Sequence, residues 1–185
     1  MDLPFFKYHP YPLQTGAIVK SENFCLVCNQ PRGYVYRASP YRMDEHQERI
    51  CPWCIADGSA YDALDIEFTD LMNLDDRHAL PDRKIGLEIA EEVAHRTPAF
   101  DCLQDHHWVT HCNDACAFLG RAGGKEILEQ HPDLIGQIEE DYVSDDVYKY
   151  TVEEYLERLE IDGSEEAYVF QCLHCGHKEC YVQAD

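Results

Sequence analysis

Four cysteines in two closely spaced pairs, Cys25-Leu-Val-Cys28 and Cys51-Pro-Trp-Cys54, carry the most definite chemistry in the chain. Two C-x2-C pairs separated by 22 residues have the spacing of a zinc site. The two-residue gap lets both thiolates of one tight turn face one ion while backbone N–H groups point at the sulfurs. Two such turns complete a tetrahedron with Zn–S bonds of about 2.3 Å. A filled four-thiolate shell has no open position for water or substrate. The expected role is structural, with Zn²⁺ supplying folding free energy that a small module lacks.

A second group is split along the chain. Cys172-Leu-His-Cys175-Gly176-His177 resembles half of a zinc ribbon, with a glycine where positive φ is easy. Its expected partner is Cys112-Asn-Asp-Ala-Cys116, with Cys112 ending a strand and Cys116 in the first turn of a helix. The 55 residues between Cys116 and Cys172 then fold out as a helical insertion. Cys102 and Cys180 read as small buried hydrophobes. Cys102, Cys180, His111, His174 and His177 are the substitute ligands at this second site; the three histidines otherwise read as neighbours of ligands or as exposed side chains.

His106-His107-Trp108 with His111 is the cluster that would serve a metal-dependent hydrolase. Solvent-facing histidines ahead of a strand are the simpler reading, and no catalytic residue is assigned. No P-loop, G-x-S-x-G, H-E-x-x-H or dinucleotide fingerprint occurs. A thiol redox sensor that releases zinc on oxidation is a third possibility. The acidic runs Asp75-Asp76, Glu139-Glu140-Asp141, Asp145-Asp146 and Glu165-Glu166 read as solvated faces.

The elements that must position these groups follow from pattern. Leu3 to Pro12 holds three prolines and is expected to be extended, its aromatics packed on something. Residues 33–37 alternate and are β-rich. The stretch after Cys54 is weakly helical, interrupted at Asp57-Gly58-Ser59. Ile85, Ile89 and Val93 make an apolar stripe on a helix over 82–96, ended by Thr97-Pro98. Residues 108–110 read as a short strand, and Asn113 or Asp114 as the cap of a helix through Leu119. Helices are expected over 125–130 and 132–140. Thr151-Val-Glu-Glu154 is a capping box, with Tyr155, Leu156 and Leu159 facing inward. Residues 167–171 and 180–183 are strands around the Cys172–Cys175 turn.

Composition sets the remaining limits. The 185 residues suit one domain or two small ones, and 45 % apolar content is that of a folded protein. No apolar run approaches the ~20 residues needed to span a bilayer, so no membrane is expected. The N-terminus lacks a signal-peptide pattern, which places the protein in the cytoplasm, where thiols stay reduced. The formal charge is −21. Two four-thiolate zinc sites would take it to about −25. That body repels phosphate backbones and excludes nucleic acid as a partner. It favours a basic protein partner, or serves solubility alone.

Several strings together resemble the CbrC family of bacterial proteins. They are Phe6-Lys-Tyr-His-Pro10, Thr15-Gly-Ala17, the Cys25/Cys28 pair, Arg32-Gly-Tyr-Val-Tyr36 and Cys51-Pro-Trp-Cys-Ile-Ala-Asp-Gly-Ser-Ala60. Trp108 with His111-Cys112, Asp114-Ala-Cys116, Phe118-Leu-Gly120, and Phe170 with Cys172-Leu-His-Cys-Gly176 extend the match nearly end to end. The resemblance implies a role in stress or toxin tolerance, since the family name is associated with tolerance to a nuclease colicin. It adds weight to the second cysteine group and supplies no catalytic residue. The expected fold is α+β, with small β-rich zinc-ribbon or knuckle modules packed with several helices. The expected organisation is an N-terminal zinc module over 1–64 and a helical region over 65–185 with the split site, together one compact unit. The expected metal ligands are Cys25, Cys28, Cys51, Cys54, Cys112, Cys116, Cys172 and Cys175.

Overall fold

The run Ala167-Tyr168-Val169-Phe170 is apolar at every position, which a strand tolerates only when both its faces are covered. The computed structural model, which describes residues 2–38, 48–74, 84–143 and 150–185, places this run at the centre of the largest sheet. The strands are β1 (Ile18–Lys20), β2 (Tyr34–Tyr36), β3 (Thr110–His111), β4 (Asp114–Ala115), β5 (Ala117–Ala122), β6 (Glu165–Gln171) and β7 (Lys178–Ala184). They pair antiparallel as β1-β2, β3-β4 and β5-β6-β7. The helices are α1 (Pro52–Ala56), α2 (Ser59–Leu64), α3 (Leu71–Leu74), α4 (Leu87–Arg96), α5 (Gly124–Gln130), α6 (Ile135–Ile138) and α7 (Val152–Leu156). The fold is α+β, as the sequence indicates.

The middle strand β6 separates two cores. Tyr168 and Phe170 join Phe100, Trp108 and Phe118 on one face, while Ala167, Val169 and Cys180 meet Ile127, Leu134 and Leu156 on the other. Phe100 stacks on Phe118 with ring centroids 3.9 Å apart. Truncating either ring to alanine would cost about 3–5 kcal/mol. A third core surrounds the first cysteine group and includes Phe6, Tyr36, Ile50, Ile55 and Phe68.

The N-terminal arm ties these cores together. Phe6, Tyr8 and His9 are buried, and Phe118 N donates to the Tyr8 carbonyl at 2.8 Å. His9 bonds the Pro98 carbonyl through Nδ1 and Thr15 Oγ1 through Nε2, both at 2.7 Å. Burial pushes its pKa down to about 4. Contacts cross residue 64 freely: Ile66, Phe68 and Ala99 belong to the first core, and Tyr8 belongs to the aromatic core beside the sheet.

Three expectations need correction. The helix expected through Leu119 is instead the β3–β4 hairpin followed by β5. Ala115 to Phe118 is buried throughout, so the segment is held by tertiary contacts on both sides rather than by one amphipathic stripe. The helix expected over 132–140 is broken into a 3₁₀ turn at Pro132–Leu134, α6, and a π-helical turn at Glu139–Val143. Among the described residues, α4 starts at Leu87 because Gly86 is extended, with ψ 156°; positions 82 and 83, and the pairs Asp75-Asp76 and Asp145-Asp146, lie outside the described residues. The expected capping box stands: the Thr151 hydroxyl accepts from the Glu154 amide and the Glu154 carboxylate accepts from the Thr151 amide.

Candidate metal centres

Cys25, Cys28, Cys51 and Cys54 bring their sulfurs within 4.8 Å of one another. Cys28 Sγ and Cys51 Sγ are 3.9 Å apart. Zn–S bonds of about 2.3 Å at tetrahedral angles require S···S edges of about 3.8 Å, so the spacing fits the ion. The first pair forms a knuckle: Asn29 N donates to the Cys25 carbonyl at 2.8 Å and Cys25 N to the Gln30 carbonyl at 3.1 Å. The second pair opens α1, with Cys51 as its N-cap, Pro52 in its first turn and the Cys51 amide 3.4 Å from Cys25 Sγ.

The electrostatics of this group are those of crowded thiols. The hydrogen bond from Cys51, reinforced by backbone amides against the opposing effect of burial, holds Cys25 down at about 4. The same contact and burial push Cys51 up, and burial first of all pushes Cys54 up to about 11. A divalent cation relieves this crowding by taking all four thiols as thiolates, with release of protons. The Arg32 side chain hydrogen-bonds Cys28, and its guanidinium lies over the Trp53 ring, 5.6 Å from the centroid. Three of the four cysteines are buried, so the centre is closed.

The second group consists of His111, Cys112, Cys172 and Cys175, again within 4.8 Å of one another. Cys112 Sγ lies 3.9 Å from Cys175 Sγ and 3.2 Å from His111 Nδ1, and Cys175 Sγ lies 3.5 Å from the same nitrogen. With a Zn–N bond of about 2.0 Å, a tetrahedral site needs an S···N edge of about 3.5 Å. His111 takes the fourth place. Cys116, expected as a ligand, is not in this group; it is buried in the aromatic core and its carbonyl accepts from Trp108 Nε1.

The backbone explains that exchange. His111 pairs with Asp114 in register, so Cys112 and Asn113 form a two-residue hairpin loop, both left-handed with φ 53° and 58°. The turn puts Cys112 at the tip beside the Cys172–Cys175 knuckle, while Cys116 is carried on into the core. A left-handed conformation is uncommon for cysteine, and here it falls on a candidate ligand.

The knuckle at Cys172–Cys175 repeats the first one. Gly176 N donates to the Cys172 carbonyl at 3.1 Å and Cys172 N to the His177 carbonyl at 2.8 Å. Gly176 has φ 74°, and Asn29 occupies the equivalent left-handed position with φ 52°. Burial works against the Cys172 thiolate, but the Cys175 and His174 amides outweigh it and hold the thiol at about 6. Desolvation and its cysteine neighbours push Cys112 up to about 11. Cys112 and Cys175 are exposed, unlike their counterparts in the first group.

Asp114 braces this second centre, a role the sequence reading did not give it. Its buried carboxylate accepts from Tyr8 Oη at 2.7 Å, Lys7 Nζ at 3.1 Å, His174 Nε2 at 2.8 Å and the Ala115 amide at 2.9 Å. Burial alone would raise its pKa, but bonds from Tyr8, His174 and Lys7 bring it below the ordinary carboxylate value. It therefore ties the hairpin that carries Cys112 to the knuckle that carries Cys172.

The other candidates stand apart. His106 Nε2 is bonded to the Phe100 carbonyl, His107 is exposed and edge-on to Tyr181, and His111 belongs to the metal group. Cys102 donates to the Gln104 carbonyl, and Cys180 is buried behind the sheet beside Gln137. His177 lies beside His111, with ring centroids 5.0 Å apart. No helix among the described residues is long and apolar enough to cross a membrane.

The sequence is similar to known proteins along nearly its whole length. A family described as "Uncharacterised protein family (UPF0167)" matches residues 3–184. The UPF0167 protein Mb2317 of Mycobacterium bovis is 42 % identical over 180 residues, covering 97 % of this chain and 92 % of its own. The UPF0167 protein MT2352 of Mycobacterium tuberculosis shows the same identity and coverage. The UPF0167 protein PA1536 of Pseudomonas aeruginosa is 38 % identical over 175 residues, 94 % of this chain and 93 % of its own. No solved structure matches. With a match running from Leu3 nearly to the last residue, this chain belongs to the UPF0167 family.

Proposed function

We propose that this protein is a two-zinc scaffold that acts by binding a basic protein partner. The observation that carries the reading is that each group brings four candidate ligand atoms within 4.8 Å of one another. A centre so filled stabilises the fold and has no open position for water or substrate. The first site would hold Zn²⁺ with four thiolates, and the second with three thiolates and the His111 imidazole. That ligand set takes the formal charge of −21 to about −24. Such a surface draws cationic proteins and disfavours polyanions. The motif resemblance to CbrC proteins supports placing the binding role in stress or toxin tolerance.

Metal analysis of the purified protein is the first test, with two zinc ions per chain expected. Cys51→Ser should remove one ion and unfold the N-terminal core, because Cys51 is one of the four proposed ligands and is buried in that core. Full metal content with unchanged melting would refute the ligand assignment. Pull-downs at low and high salt test the partner, and binding indifferent to salt would count against a basic one.

A further inference from the structure

The helical insertion holds a groove whose chemistry narrows that partner. Helices α5 and α7 touch at Gly124, where an added Cβ would lie 2.0 Å from the Leu156 carbonyl oxygen. Beside this contact a cavity of about 400 Å³ opens between them. Helix α5 lines it with Lys125, Leu128 and Glu129, spaced as one helical face, and the α7 side with Glu153, Leu156 and Glu157. Leu156 is buried at its floor and Leu128 is 55 % exposed at its lip. Among the described residues, no hydrogen bond or ion pair engages the side chains of Glu129, Glu153 or Glu157.

We propose that this groove docks a basic segment of the partner protein, with one large apolar side chain seated on Leu128 and Leu156. Lysine or arginine side chains on either side of that anchor meet Glu129, Glu153 and Glu157. Resting on the reading of an acidic scaffold with a basic partner, the inference names where on the surface the partner sits. Three unengaged carboxylates against the single ammonium of Lys125 select a cationic segment. The apolar floor selects one carrying an anchor residue rather than a plain polycation.

The test uses the full zinc-loaded chain and a fluorescently labelled amphipathic Lys/Leu peptide, read by anisotropy at low and moderate salt. The double variant E153Q/E157Q should bind about three- to tenfold more weakly, as expected for two exposed charge pairs. L128S should weaken binding by a similar factor through lost apolar contact. The control E88Q/E91Q removes two exposed carboxylates from α4 and should change binding by less than about twofold, because distant charges are screened. Equal losses in the two double variants, or wild-type binding by L128S, would overturn the groove and leave the acidic scaffold intact. A Glu/Leu peptide that binds as well as the Lys/Leu peptide would overturn the charge argument. Failure of the Lys/Leu peptide to bind at low salt would remove both readings.

Discussion

Replacing Asp114 by alanine tests whether the second centre is held by its surroundings as well as its ligands. The substitution removes the acceptor for Tyr8 Oη, Lys7 Nζ and His174 Nε2 together. Tyr8 is fully buried, and its hydroxyl loses its acceptor while still accepting from Lys7 Nζ at 2.7 Å, at a cost of about 1–3 kcal/mol. Lys7 is 43 % exposed and contributes little after solvent screening. For a chain of this length, a loss of about 2 kcal/mol lowers Tm by roughly 4–8 °C. The metal effect is separate. Freed from Asp114, His174 no longer fixes the knuckle whose amide points at Cys172 Sγ at 3.4 Å. Loss of such support beside a ligand typically weakens metal binding 10- to 100-fold, or about 1.4–2.7 kcal/mol. Competition with a chromophoric chelator measures it, and cobalt substitution separates the sites because four thiolates and three thiolates with imidazole differ in spectrum. The first site serves as internal control and should be unchanged. Asp114→Asn, which keeps an acceptor for Tyr8, should recover part of the stability and less of the metal affinity. Equal weakening at both sites, or unaltered release from the second, would refute the brace.

Three further outcomes are expected. His111→Ala should lose the second metal ion while Cys116→Ser retains it, and metal analysis showing the reverse would restore Cys116 as the ligand. His9 is held neutral when folded, at about 4 against 6.5, so the unfolded chain binds the extra proton between those values. Its contribution is complete above pH 6.5 and is lost as pH falls towards 4, by about 3 kcal/mol in all. Urea melts across this window should therefore show a shallower pH slope for His9→Gln, and an identical slope would refute the assignment. Hydrogen peroxide should discharge the second site first, because Cys112 and Cys175 are exposed with sulfurs 3.9 Å apart. Their thiols would become a disulfide as peroxide is reduced to water, read by zinc release and peptide mass. Earlier release from the Cys25 site would contradict the exposure argument.

Local signals in the sequence were enough wherever the physics is local. The C-x2-C spacing announces both knuckles because two residues are what one tight turn spans, and the structure shows the same hydrogen-bond pattern at Cys25 and Cys172. The capping box at Thr151 and the buried run of β6 are likewise matters of near neighbours. Which residue completes the second site is not. On paper the C-x3-C spacing favours Cys116 as the partner of Cys112 over the adjacent His111. The choice falls to the left-handed turn at Cys112-Asn113, which leaves His111 beside the knuckle and carries Cys116 into the core. Asp114 escaped notice because the groups it joins, Tyr8 and His174, are 106 and 60 residues away. The ligand types and the acidity were written in the chain. The ligand set and its brace depended on the packing of the hairpin, the N-terminal arm and the knuckle, because only folding brings those distant segments together.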